Sequence, residues 1–200
     1  MLLYSNAFSG NCYKVRLLLA QLGIAYELRE MDVVDRSNRL EVLGGLSPSL
    51  RVPTLVLDSG RPLAESGAIL LYLSEGSEYL PSDRYERAQV AQWLFFEQYE
   101  VEPKIAMARF LLQMWPGEKD EARIAEMQDG GRHALRMMER HLRDGEREWF
   151  VGDSYTIADI ALNGYTHVAD GAGVELGDYP NVQAWHERIT RTPGWVPIDA

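Results

Sequence analysis

Residues 51–67, Arg-Val-Pro-Thr-Leu-Val-Leu-Asp-Ser-Gly-Arg-Pro-Leu-Ala-Glu-Ser-Gly, constrain this chain more than any other stretch. Thr54 to Leu57 is an apolar run suited to a buried strand, Asp58-Ser59-Gly60 carries turn chemistry, and Pro62-Leu63-Ala64 returns as a second short strand. Glu65-Ser66-Gly67 reads as a helix start, with Ile69, Leu70 and Leu73 at helical spacing behind it. A hairpin thus feeds directly into a helix N-terminus, whose unpaired N–H groups favour an anion. The stretch suits the seat of a small anionic ligand, although each piece also has a purely structural role.

The residues before it alternate between strand and helix. Leu2-Leu3-Tyr4 is a short strand candidate, and Ser5 to Asn11 is rich in turn residues. Val15, Leu18, Leu19 and Leu22 then follow the i, i+3, i+4, i+7 rule until Gly23 stops the helix. Ala25 to Arg29 reads as a second strand, and residues 37–45 as a weaker helix ended by Gly44-Gly45. The order is βαβα and then ββα, with a parallel first pair and an antiparallel hairpin added later.

Beyond the polar connection Gly76 to Asp83 the pattern is helical throughout. Val90 to Trp115 steps by threes and fours with one gap near Glu97-Gln98, and Pro103 within that run predicts a kink. Further helices centre on Ile124 to Leu142, Ile157 to Val168, and Val182 to Ile189. The chain therefore divides into an α/β domain at residues 1–76, a linker at 77–84 and an all-α domain at 85–200.

Composition narrows the partners. A formal net charge of −10 leaves no broad basic surface for nucleic acid or anionic membrane. No apolar run approaches the ~20 residues that span a bilayer, and the start lacks the basic and apolar regions of a signal peptide. The single cysteine, Cys12, rules out an intrachain disulfide framework, so a cytoplasmic location is expected. An anionic ligand on so acidic a chain needs local donors, and Arg51 is one.

Several of these segments together carry a resemblance. Arg51-Val52-Pro53-Thr54-Leu55, Glu65-Ser66 with Ile69, Leu70 and Tyr72-Leu73, and Gly152-Asp153 followed by Thr156-Ile157-Ala158-Asp159 stand in order and at suitable separations. The chain resembles the cytosolic glutathione transferase superfamily, in the manner of bacterial theta-, zeta- or Nu-like members, along essentially its whole length. The resemblance implies a thioredoxin-like N-terminal domain that binds glutathione as co-substrate and a helical domain that holds a second substrate. It also implies a homodimer. No metal or nucleotide is implied: the four histidines lack ligand spacing, and Gly171-x-Gly173 lacks the third glycine of a dinucleotide loop.

Carried onto this sequence, the resemblance assigns roles. The Val52-Pro53 bond, which sequence alone leaves trans, would be cis, with the Val52 backbone pairing with the cysteinyl unit of glutathione. Ser66 and its N–H would hold the γ-glutamyl carboxylate, and Glu65 would orient the amino end. Ser47-Pro48-Ser49-Leu50-Arg51 departs from the family wording Asn-Pro-x-Gly-Lys, and Arg51 stands near the place of the residue that meets the glycyl carboxylate. A residue that donates a hydrogen bond to sulfur and so favours the thiolate is expected within Ser9-Gly10-Asn11-Cys12. Ser9 matches the theta- and zeta-like serine, and Asn11 matches the asparagine of Nu-like disulfide reductases. Cys12 is displaced by three positions from the beta- and omega-like cysteine and is better read as a small buried hydrophobe. Phe8, Tyr99, Met107, Phe110 and Trp115 are candidates for an apolar second-substrate site between the domains, although helical aromatics more often build cores. Thr156-x-x-Asp159 has capping-box spacing and points to folding rather than catalysis.

The expected activity is transfer of the glutathione thiolate to a small electrophile. A glutathione-dependent disulfide reductase or peroxidase on the same residues is one alternative, and a non-catalytic module of the same fold another.

Overall fold

The structure, a computed structural model, describes residues 1–200. It groups into two compact units, Met1–Glu75 together with Pro193–Ala200, and Gly76–Thr192.

The first unit runs β1 (Leu2–Ser5), α1 (Gly10–Gln21), β2 (Glu27–Glu30), α2 (Arg39–Leu43), β3 (Thr54–Val56), β4 (Pro62–Ala64) and α3 (Ser66–Ser74). The four strands form one mixed sheet in the order β2-β1-β3-β4. β1 and β2 are parallel, with Leu3 beside Leu28, whereas β1–β3 and β3–β4 are antiparallel. This is the βαβα-ββα order expected from the sequence. β2 begins two residues later than its apolar pattern suggests, and all four of its residues are exposed. Its charged edge, Glu27, Arg29 and Glu30, discourages further strand pairing.

Strand alternation divides the core. Leu3 and its cross-strand partner Leu55 face Val15 and Leu19 of α1 and Ile69 of α3. Tyr4 points to the opposite face, where it packs with Met31 and Leu43. Fully burying a side chain of this size contributes about 2 kcal/mol, so these two clusters hold the sheet between its helices.

The final segment joins this unit. The Tyr13 hydroxyl donates to the Val196 carbonyl at 2.9 Å, and Arg16 donates to the Ile198 carbonyl. Gly194 makes the approach possible: its φ is +71°, and a Cβ there would lie 2.8 Å from the Gln21 Cα.

The second unit comprises α4 (Arg84–Phe96), a π-helical stretch (Glu97–Ala106), α5 (Met107–Gln113), α6 (Glu121–Asp144), α7 (Ile157–Thr166), a 3₁₀ turn (Ala169–Ala172) and α8 (Pro180–Ile189). Where the sequence predicts a kink at Pro103, the helix widens instead. Proline has no N–H for the Tyr99 carbonyl four residues back, and the Lys104 ammonium donates to that oxygen at 3.3 Å.

The expected Thr156–Asp159 capping box is present, and it reaches well beyond α7. The Asp159 carboxylate accepts from Thr156 N at 2.9 Å, Thr156 Oγ1 at 3.2 Å, Phe150 N at 3.1 Å and Trp185 Nε1 at 2.9 Å. It ties the start of α7 to the preceding loop and to α8. A second carboxylate, Glu139 on α6, caps α8 through Asn181 N and Val182 N, each at 3.0 Å. No helix is long and apolar enough to cross a membrane.

Candidate active site at one end of the sheet

Strand register gathers most of the proposed site. Thr54 lies beside both Tyr4 and Ala64, so the loop after β1, the residues before β3 and the residues after β4 all emerge at the same end of the sheet. Phe8, Ser9, Asn11, Arg51, Val52, Pro53, Glu65 and Ser66 all belong to these segments or to the helix starts beside them.

The loop after β1 is held firmly. The Asn6 side chain donates to Glu30 Oε1 at 3.0 Å and to the Met31 carbonyl at 2.9 Å, while its own oxygen accepts from Phe8 N at 3.0 Å. Ser9 caps α1, its hydroxyl accepting from Cys12 N at 3.4 Å. Asn11, in the first turn of α1, uses its side-chain oxygen twice. That atom accepts from the Lys14 ammonium at 2.7 Å and from the Ser66 hydroxyl at 3.1 Å. Two donors on Oδ1 fix the orientation of the amide, leaving Nδ2 as its donating end.

Before β3, the Val52–Pro53 peptide is cis, as the resemblance implies. Arg51 is exposed; its N–H donates to Ser47 Oγ at 3.4 Å, and its carbonyl accepts from Thr54 Oγ1 at 2.8 Å. Glu65 sits just ahead of α3 with a φ of 71°, in the left-handed region that non-glycine residues rarely occupy. Its side chain makes no capping bond to α3 and accepts instead from Ser49 Oγ at 3.5 Å. The start of α3 is therefore not closed by its own cap residue, while Ser66 is buried there and joined to Asn11.

Cys12 is 0% exposed. Burial pushes its thiol up, against the pull of hydrogen bonds from Ser9, Asn6 and Ser5 and of the Arg16 charge. A buried thiol with a raised pKa is a poor nucleophile, in keeping with its reading as a small hydrophobe.

Phe110 and Trp115 form a tilted pair with centroids 6.2 Å apart. Tyr99 is engaged by the Lys104 ammonium, 5.7 Å above its ring, and Met107 opens α5 as an exposed side chain. No group of three or more His, Cys, Asp or Glu side chains is gathered to hold a metal.

Three contributors went unread in the sequence: Lys14, Ser49 and Arg16. Lys14 stands three residues after Asn11, so helical spacing signals that contact. Ser49 and Arg16 reach their partners through the turns of other segments, and no local pattern announces them.

Comparison with known proteins identifies the family to which this fold belongs. Residues 3–78 match the family model for the glutathione S-transferase N-terminal domain, and residues 101–193 match that for the C-terminal domain. The chain belongs to the glutathione S-transferase family. The crystal structure of a glutathione S-transferase from Pseudomonas fluorescens Pf-5 matches with a TM-score of 0.92 and 43% identity, over 98% of each chain. The disulfide-bond oxidoreductase YfcG of Escherichia coli K12 is 30% identical over 92% of this chain and 87% of its own. The structure of Ure2p in complex with glutathione matches with a TM-score of 0.85 and 25% identity, covering 96% of this chain and 90% of that one. Family membership accounts for the fold of both units; the relatives include a glutathione S-transferase, a disulfide-bond oxidoreductase and Ure2p, whose structure was solved with glutathione bound.

Proposed function

We propose that this protein binds glutathione at the sheet end described above and transfers its thiolate to a small electrophile. The Asn11–Ser66 hydrogen bond carries this reading, because it joins a residue suited to sulfur with one suited to the γ-glutamyl carboxylate. In this proposal Ser66 and the N–H groups opening α3 receive the carboxylate, Glu65 faces the amino group and the Val52 backbone pairs with the cysteinyl unit. Arg51 meets the glycyl carboxylate. The Asn11 amide, or the Ser9 hydroxyl, donates to sulfur and favours the thiolate. The thiol proton passes to solvent, the sulfur lone pair forms a bond to the electrophilic carbon, and a leaving group departs with its electrons. Phe8, on the loop that carries Ser9, is proposed to meet the electrophile. The protein acts in the cytoplasm.

A second reading is favoured by Asn11 and by the resemblance to YfcG. Here the glutathione thiolate attacks one sulfur of a disulfide and expels the other as thiolate. A second glutathione then resolves the mixed disulfide, leaving oxidised glutathione and two substrate thiols. No protein cysteine takes part, consistent with buried Cys12.

Calorimetry with glutathione comes first; no binding at millimolar ligand favours a non-catalytic module. Turnover of an activated aryl chloride is then compared with that of bis(2-hydroxyethyl) disulfide in the wild type, Ser9→Ala and Asn11→Ala. Full activity after both substitutions together sinks the mechanism.

We also propose a homodimer. Tyr85, Ala88, Gln92, Phe95 and Tyr99 form an exposed stripe at heptad-like spacing, with Tyr85 71%, Phe95 74% and Tyr99 75% exposed.

A further inference from the structure

Arg16 lies in the second turn of α1 and is 3% exposed, with no carboxylate paired to it. Its guanidinium is spent on oxygens instead. Nη1 donates to Ser5 Oγ at 3.0 Å and to the Asn6 carbonyl at 3.1 Å. Nη2 donates to the Ala7 carbonyl at 3.4 Å and to the Ile198 carbonyl. The last residue of β1 and the first two of the loop after it are thus gripped by one planar fork, and the C-terminal segment supplies the fourth acceptor. That loop leads directly into Ser9 and Asn11.

Burying a guanidinium without a counter-charge is costly, and carbonyl dipoles recover only part of the lost hydration. A methionine would fill similar space without that cost, so a role in holding this loop and its field explains the arginine better than packing does. The rigid fork fixes three acceptors at once, which a lysine cannot reproduce.

We propose that Arg16 is a positioning residue for glutathione activation: it fixes the Ser5–Ala7 segment, where β1 passes into the loop that presents Ser9 and Asn11, and the segment around Ile198 completes its cage. This rests on the reading of the sheet end as a glutathione site. The uncompensated charge also lies behind the N-terminus of α1, where both would favour a thiolate.

The test compares wild type with Arg16→Lys, Arg16→Met and Gly194→Val. The last forces a side chain against Gln21 and Ala20 and displaces the tail without touching the site. In Arg16→Met the ascending limb of the pH–rate profile should move to higher pH. Its kcat/KM on the acid side should fall about tenfold, with KM for glutathione changing less than about threefold. Arg16→Lys and Gly194→Val should move the limb the same way by less, and amides 7–9 should exchange faster in both. If Arg16→Met does not fold, these two variants decide. An unmoved limb in folded variants, or a change confined to KM, overturns the proposal. If wild type binds no glutathione, the functional reading has failed, and the exchange of amides 7–9 still judges the loop: unchanged exchange overturns the positioning role as well.

Discussion

The Ser66 hydroxyl donates to the Asn11 side-chain oxygen at 3.1 Å, so the first turns of α1 and α3 share a hydrogen bond. If Ser66 holds the carboxylate of glutathione while Asn11 faces its sulfur, each substitution should disturb both binding and activation. Asn11→Ala is expected to lower kcat/KM by roughly 10- to 100-fold, the worth of one hydrogen bond to a charged group. Ser66→Ala should weaken glutathione binding by a similar factor in calorimetry. A double-mutant cycle should show the two effects to be less than additive; strict additivity would argue that the bond does not couple them.

Cys12→Ser should leave turnover within about twofold and lower stability by about 1–2 kcal/mol, since it buries a hydroxyl in place of a thiol. Thiol-blocking reagents should leave the native wild type active. Rapid inactivation at neutral pH would contradict the placement of Cys12 in the core.

Burial pushes the Asp159 carboxyl up to about 6, although four hydrogen bonds pull the other way. The unfolded carboxyl titrates near 3.9, so between about pH 4 and 6 the folded state binds more protons than the unfolded one. This group's contribution is fully present below pH 4 and is lost as pH rises through 6, a change of about 3 kcal/mol. Asp159→Asn removes that dependence and sets an amide donor against the other donors, costing about 2–4 kcal/mol. Urea denaturation of both proteins from pH 4 to 7 should show the wild-type advantage shrinking as pH rises.

His186 and His167 act in the opposite sense. Burial lowers His167 to about 4, with the Arg109 charge adding to the effect, and lowers His186 to about 3, with His167 adding to it. Both stay neutral in the fold while unfolded imidazoles protonate near 6.5, so stability is intact above that pH and declines as pH falls below it. Each histidine contributes a slope of about 1.4 kcal/mol per pH unit. The Thr166 hydroxyl donates to the Leu162 carbonyl at 2.8 Å, so it accepts from His186 Nε2 at 2.9 Å. His186→Gln can keep that donor and remove the titration. Its melting temperature should fall less steeply between pH 6.5 and 4.5 than that of the wild type, and an unchanged slope would assign the acid sensitivity elsewhere.

Phe95→Glu places a charge in the exposed stripe of α4. Sedimentation should show a dimeric wild type and a monomeric variant; an equally dimeric variant would place the interface on another face.

Hydrophobic spacing reveals much of the fold, because strands two residues in period and helices near 3.6 leave different marks on Leu3-Tyr4 and on Val15, Leu18 and Leu22. Motifs single out Ser66 and Asn11, which the structure joins by a hydrogen bond. The burial of Lys14 and Arg16 was not legible, because charged residues usually face water, and Arg16 is enclosed in part by the distant segment around Ile198. The widened helix at Glu97–Ala106 left only a proline and a break in the spacing as its trace. The cis geometry of Val52–Pro53 came from the resemblance alone.

The docking of Pro193–Ala200 onto α1 also bears on the order of events during synthesis. A ribosome delivers β1 through α3 early, yet the acceptors that Tyr13 and Arg16 use emerge only with Val196 and Ile198. The α/β unit is therefore completed only after the whole intervening helical stretch has been made, and until then the nascent chain must do without the acceptors that Tyr13 and Arg16 use in the fold.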